Sequence, residues 1–219
     1  MKQTYSFDDV LLEPQYSDIE SRSTIDISSN LGANKFHLPI ISSPMDTVTE
    51  KKMAIKMHFA GGLGVVHRYN TPEQQARIVG EAYVDGALNI AAAVGITGDY
   101  IDRARKVTDV GANILCIDVA HGHHSMMQRG LSELKNMLGD DVHIMAGNVA
   151  TLEAFEALSE WGADSVRVGI GGGSICSTRI VTGHGVPTFQ SVLECAQTSY
   201  DTKIIADGGI KTSGDIVKA

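Results

Sequence analysis

Ser165-Val166-Arg167-Val168-Gly169-Ile170-Gly171-Gly172-Gly173-Ser174-Ile175-Cys176-Ser177-Thr178-Arg179 is the stretch on which the fold turns. A short, mostly apolar run passes directly into a glycine-rich loop that carries one cysteine. Runs of this kind read as strands buried on both faces. Glycine admits positive φ and close approach, so successive N–H groups of such a loop can wrap a phosphate. A thiol held there sits in a field that favours thiolate, the nucleophilic form. The insertion, residues 169–187, is long for a strand-to-helix connection, and overlong loops at that end of a strand are usually functional.

Outward from this stretch, apolar runs and amphipathic segments alternate at a nearly regular interval. The runs predict strands at 38–45, 63–67, 90–94, 114–119, 143–146, 165–168 and 203–206. The amphipathic segments predict helices at 50–60, 72–82, 100–110, 126–138, 152–161 and 189–198. Such alternation means parallel βαβ units, in an open doubly wound sheet or a closed barrel. The regular interval favours the barrel. So do the polar or glycine residues that follow nearly every strand: Asp46, Arg68, Gly95, His121, Asn148, Gly171 and Asp207. That end of a (βα)8 barrel carries the active site. The expected fold class is therefore α/β, a (βα)8 TIM barrel truncated after its seventh strand, because the sequence stops at Ala219, early in the next helix. One catalytic barrel domain over 1–219, lacking its C-terminal part, is the expected organisation.

Composition narrows the function. A formal charge of −8 without a basic cluster argues against a nucleic-acid surface. No apolar run is long enough to span a bilayer, and the N-terminus is too polar for a signal peptide, so no membrane partner is expected. The three cysteines, Cys116, Cys176 and Cys195, lack metal spacing and an even count, which suits a reducing cytoplasm.

Among the thiols, Cys176 is the nucleophile candidate, Cys116 reads as an inert buried residue, and Cys195 as helix packing. Asp207-Gly208-Gly209 ends a strand and suits a carboxylate accepting sugar hydroxyls beside backbone that approaches a phosphate; a plain Asp-Gly turn fits it equally. His121, His123 and His124 have no acidic or cysteine partner at zinc spacing. Asp118 and His121 are expected to line the pocket, with the other two near a helix start. Asn148 offers an amide to a planar polar ligand or stabilises a turn. Ser43 can donate to a ligand, and Met45 presents a polarizable face to a flat base or packs in the core.

Together these segments resemble the inosine monophosphate dehydrogenase / guanosine monophosphate reductase family. The resemblance runs from Ser6-Phe7-Asp8-Asp9-Val10-Leu11-Leu12-Glu13-Pro14 through 42–46, Gly61-Gly62-Leu63-Gly64, 118–123 and 146–149 to 169–179 and Ala206-Asp207-Gly208-Gly209-Ile210. It implies that the Cys176 thiolate attacks C2 of IMP while a hydride leaves for NAD, and that water then hydrolyses the thioimidate to XMP. In the reductase branch the same thiol displaces ammonia from GMP and NADPH returns the hydride. The resemblance places Ser174, Gly208 and Gly209 at the nucleotide phosphate, Asp207 at the ribose, and Ser43 and Met45 on the nucleotide. Thr178 assists the water or ammonia step, and Asp118, His121, Asn148 and Gly169 face the cofactor. The carbonyls of Gly171, Gly173 and Cys176 resemble a loop that binds a potassium ion. A cytoplasmic homotetramer is implied as well.

Three departures bear on these expectations. Residues 82–88 make only a short connection where family dehydrogenases usually carry two CBS modules, so no CBS regulatory domain is expected. Gly172 stands where proline or serine is common, a change expected to loosen the loop. The second phosphate-binding strand and the mobile flap would lie beyond Ala219. Residues 120–123, 176–179 and 208–215 lean toward bacterial dehydrogenases, whereas His67-Arg68-Tyr69 and the missing modules lean toward reductases. Dehydrogenase is the favoured branch, and a non-catalytic nucleotide-binding remnant is the rival from another class.

Overall fold

The computed structural model describes residues 3–173 and 176–219. A hairpin of β1 (Ser29–Leu31) and β2 (Asn34–Phe36) precedes β3 (Ile41–Ser42), α1 (Lys51–Phe59), β4 (Leu63–Val66) and α2 (Pro72–Val84). Next come β5 (Ala91–Val94), α3 (Tyr100–Asp109), β6 (Ile114–Asp118), α4 (Ser125–Leu138) and β7 (His143–Val149). The chain continues with α5 (Leu152–Glu160), β8 (Ser165–Val168), α6 (Thr178–Thr182), α7 (Thr188–Cys195), β9 (Lys203–Ala206) and α8 (Ser213–Lys218). Strands β3 to β9 form one seven-stranded parallel sheet in sequential order, the strand order of a TIM barrel.

Strand periodicity sorts the side chains into two layers. Val66, Ala92, Val94, Leu115, Ile117, Ile144, Ala146, Val166 and Val168 pack outward against the helices, around Phe155, Leu131 and Leu134. The alternate residues Leu63, Val65, Ala91, Ala93, Ile114, Cys116 and Met145 form the inner layer. Leu31 and Phe36 of the hairpin join that inner layer. Asn113, just before β6, donates to Asn34 Oδ1 at 2.7 Å, so the hairpin sits across the N-terminal ends of the strands. The candidate site residues follow the strands at the opposite, C-terminal end.

Sequence reasoning missed the hairpin. Its signal is Gly32-Ala33, a two-residue connection with Gly32 at φ +57°. The strand expected at 38–45 shrinks to Ile41–Ser42. Pro39 and Pro44 cannot donate to a ladder, and the hydroxyl of the buried Thr49 takes the Ser43 carbonyl at 2.7 Å. Residues 169–187 are not a bare loop. They hold α6, and the Val186 amide donates to the Ile170 carbonyl at 3.1 Å, tying the loop's two ends together.

Candidate active site

The inner layer changes character toward the C-terminal ends of the strands. Cys116 and Asp118 on β6, Gly147 on β7, Arg167 on β8 and Ile205 on β9 share one face by register. Arg167 is buried, and its guanidinium meets two carboxylates: Nη1 donates to Asp118 Oδ1 at 2.7 Å, and Nη2 to Asp207 Oδ2 at 2.7 Å. Nη1 also lies 3.3 Å from the Cys116 sulfur. Burial works against the guanidinium charge, but Cys116, Asp207 and Asp118 outweigh it and hold the group protonated. Sequence reading passed over Arg167, yet the signal was there: a cation in a strand buried on both faces must find partners.

Asn148 completes the arrangement. Its Nδ2 donates to Asp207 Oδ2 at 2.6 Å and to the Gly169 carbonyl at 2.8 Å. The amide expected to meet a ligand is thus committed inside the site, and its oxygen remains to accept. Arg68 Nη2 donates to the Asp118 carbonyl at 3.1 Å, anchoring that strand end. His121 is exposed on the loop after β6, at the rim. The other two histidines have structural work: His123 packs on Trp161, and His124 caps α4 by accepting from the Met126 amide at 3.1 Å.

The cysteine loop and the Asp207-Gly208-Gly209 turn are fitted together, backbone against backbone. Gly169 has φ +154°, and a β-carbon there would lie 1.9 Å from the Asp207 carbonyl oxygen. Gly208 has φ +82°, and its β-carbon would lie 2.9 Å from the Gly173 nitrogen. Only glycine permits both approaches. Gly209 faces the Gly172 carbonyl across the same seam. Gly172 makes a close approach to Thr188 at the start of α7. The buried Thr188 hydroxyl takes no hydrogen bond among the described residues.

Cys176 is partly buried, and its amide donates to the Gly173 carbonyl at 3.2 Å. The Thr178 hydroxyl and amide, with smaller backbone contributions from Gly171 and Arg179, favour the thiolate and bring the thiol below its ordinary range. The other two thiols move the opposite way: burial pushes Cys116 up to about 11 and Cys195 up to about 12. Of the three thiols, Cys176 is thus the one held below its ordinary range. Ser43 and Met45, both half-buried, follow β3 in a turn where the Met45 amide donates to the Ser43 carbonyl at 2.8 Å. Ser174 lies outside the described residues.

Comparison with known proteins agrees with this geometry. The sequence profile of the IMP dehydrogenase / GMP reductase domain matches residues 4–219. The inosine-5'-monophosphate dehydrogenase of Cryptosporidium parvum is 36% identical over 259 residues, covering 98% of this chain and 64% of that protein. That of Nitrosopumilus maritimus is 29% identical over 346 residues, covering 100% of this chain and 72% of the relative. The crystal structure of inosine 5' monophosphate dehydrogenase from Legionella pneumophila superposes with a TM-score of 0.90 at 44% identity, over 99% of this chain and 65% of that one. The chain thus spans just under two thirds of the Cryptosporidium and Legionella proteins. A seven-stranded TIM-type sheet, a poised cysteine loop seated on an Asp-Gly-Gly turn, and a profile match from residue 4 to residue 219 place this chain in the IMP dehydrogenase / GMP reductase family.

Proposed function

We propose that this chain carries the catalytic centre of an NAD-dependent IMP dehydrogenase, serving guanine nucleotide biosynthesis. The observation that carries the reading is the contrast among its thiols, with Cys176 alone lowered, on a loop seated against Asp207-Gly208-Gly209. The Cys176 thiolate adds to C2 of IMP, the purine loses a hydride from that carbon, and water hydrolyses the resulting thioimidate to XMP and free thiol. Thr178, the main influence lowering that thiol, stabilises the thiolate and assists the water step.

The remaining roles follow the donors and acceptors at hand. Asp207 accepts from the ribose hydroxyls, Ser174, Gly208 and Gly209 receive the phosphate, and Ser43 and Met45 flank the base. Asp118, His121, Asn148 and Gly169 face the nicotinamide cofactor, which supplies the hydride acceptor when bound. The donor set fits such a group: among the described residues, Asp118 Oδ2 and the Asn148 side-chain oxygen take no hydrogen bond and remain open acceptors. The carbonyls of Gly171, Gly173 and Cys176 would hold a potassium ion, an oxygen-only set that suits a hard cation. The reading extends to a cytoplasmic homotetramer. It also extends to a barrel without CBS modules: residues 85–90 alone join α2 to β5, whereas the match to the Nitrosopumilus relative runs over 346 residues.

Absorbance at the reduced-nicotinamide band tests the proposal. The purified chain is given IMP, NAD and potassium in one cuvette, and GMP with NADPH in another. A rise in the first is the expected result. A fall in the second assigns the reductase branch instead, and silence in both, with Cys176→Ala indistinguishable from the parent, assigns a non-catalytic nucleotide-binding remnant.

A further inference from the structure

Arg167 stands on β8, yet one of its two carboxylates stands on β6, with β7 between them. The crossing is possible because Gly147, the β7 residue paired with Arg167, has no side chain: a β-carbon there would lie 2.7 Å from the Arg167 β-carbon. Each carboxylate is engaged on one oxygen only. Asp118 gives Oδ1 and Asp207 gives Oδ2 to the guanidinium, while Asp118 Oδ2 and Asp207 Oδ1 take no hydrogen bond among the described residues. Both side chains keep some exposure, 20% and 25%, against 10% for the arginine, so the open oxygens belong to the two groups that ligands can reach.

We infer that Arg167 is a positioning residue that aims two ligand-binding carboxylates at once, Asp207 toward the nucleotide ribose and Asp118 toward the dinucleotide. The inference rests on the functional reading above and adds a residue to it. A guanidinium fork is planar and presents separate nitrogens in fixed directions, so fixing one carboxylate fixes the angle of the other. A lysine ammonium keeps the charge but is a single point on a flexible stem, and it holds one carboxylate at a time. The role is distinct from charge neutralisation, because it predicts that shape matters where charge is conserved. Arg68, holding the Asp118 backbone, and Asn148, holding Asp207, fix the outer ends of the same chain of bonds.

Calorimetric dissociation constants for IMP and for NAD, each titrated alone into the full chain, test this. In Arg167→Lys both are expected to weaken together, by about tenfold to a hundredfold, in protein whose circular dichroism and melting remain those of the parent. Gly147→Ala, which keeps the guanidinium and closes its passage, is expected to give the same paired loss. Asp207→Asn is expected to weaken IMP more than NAD, and Asp118→Asn NAD more than IMP, because each removes one carboxylate directly and disturbs the other only through Arg167. Arg167→Lys binding either ligand as the parent does would overturn the inference. So would an Asp207→Asn variant that spares IMP or an Asp118→Asn variant that spares NAD, a result that stands even if the Arg167 and Gly147 variants fail to fold. A parent chain that binds neither IMP nor NAD overturns the functional reading itself, and this inference with it.

Discussion

Thr188 fills the space that a side chain on Gly172 would need: a β-carbon there would lie 2.1 Å from the threonine hydroxyl oxygen. The cysteine loop is thereby seated against the start of α7 as well as against the Asp207-Gly208-Gly209 turn. Gly172→Ala is expected to lower turnover by about tenfold or more, since a small displacement of a nucleophile is costly. The added methyl would lie 3.4 Å from the Thr188 β-carbon, an ordinary contact, so Thr188→Ala should restore much of the loss. Steady-state rates of the two single variants and the double decide it; additive losses would refute the steric account.

Thr178 is the main support of the lowered Cys176 thiol. A thiolate reacts and a thiol does not, so alkylation by iodoacetamide should rise to half its maximum at a lower pH than for an ordinary cysteine. In Thr178→Val the hydroxyl donor is gone, and the midpoint moves up in pH. Mass spectrometry of the labelled native protein should find Cys116 and Cys195 unmodified throughout the neutral range, because burial raises both.

His143 gives stability an acid-side slope. Its ring is buried on the inner layer with Nε2 2.8 Å from the Ser165 hydroxyl, and burial lowers its pKa below 6.5, with Lys135 adding to the effect and Asp164 opposing it. The unfolded chain takes up this proton at a higher pH than the folded one does, so unfolding is favoured as pH falls through the ordinary histidine range. The contribution is intact above that range and is lost progressively below it. Urea midpoints measured from about pH 8 down to about pH 5 should fall, and His143→Gln should flatten the fall.

Phe155 is fully buried in the outer layer, between α5 and the sheet. Phe155→Ala is expected to cost about 3–5 kcal/mol, read from denaturant unfolding. The site lies on the other face, so the nucleotide's dissociation constant in the folded variant should stay near that of the parent.

How much of this was legible beforehand differs between layers of the molecule. The strands at 165–168 and 203–206 match the structure residue for residue, because apolar runs with sharp polar ends leave little choice of boundary. The pairing of Cys176's loop with Asp207-Gly208-Gly209 was readable as two phosphate-friendly glycine segments, but their contact depends on β8 and β9 being neighbours, which only the assembled sheet provides. For Arg167 the need for partners was legible but their identity was not, since periodicity says nothing of carboxylates on other strands. Asn148 was legible as a polar strand end. Its hydrogen bonds, which decide what it has left to offer a ligand, are long-range and were not.

The Asp118–Arg167–Asp207 chain also bears on how the protein reaches its fold. Parallel strands carry no tight turn to set their alignment, and a slip by one residue exchanges the two faces of a strand. For β8 such a slip would turn the guanidinium out of the inner layer toward the apolar side packed by Val166, Val168 and Phe155, and leave Asp118 and Asp207 inside without it. Misaligned sheets are thereby penalised by a buried, unpaired charge before any ligand is present. The three charges that the candidate site holds together thus also favour correct strand alignment.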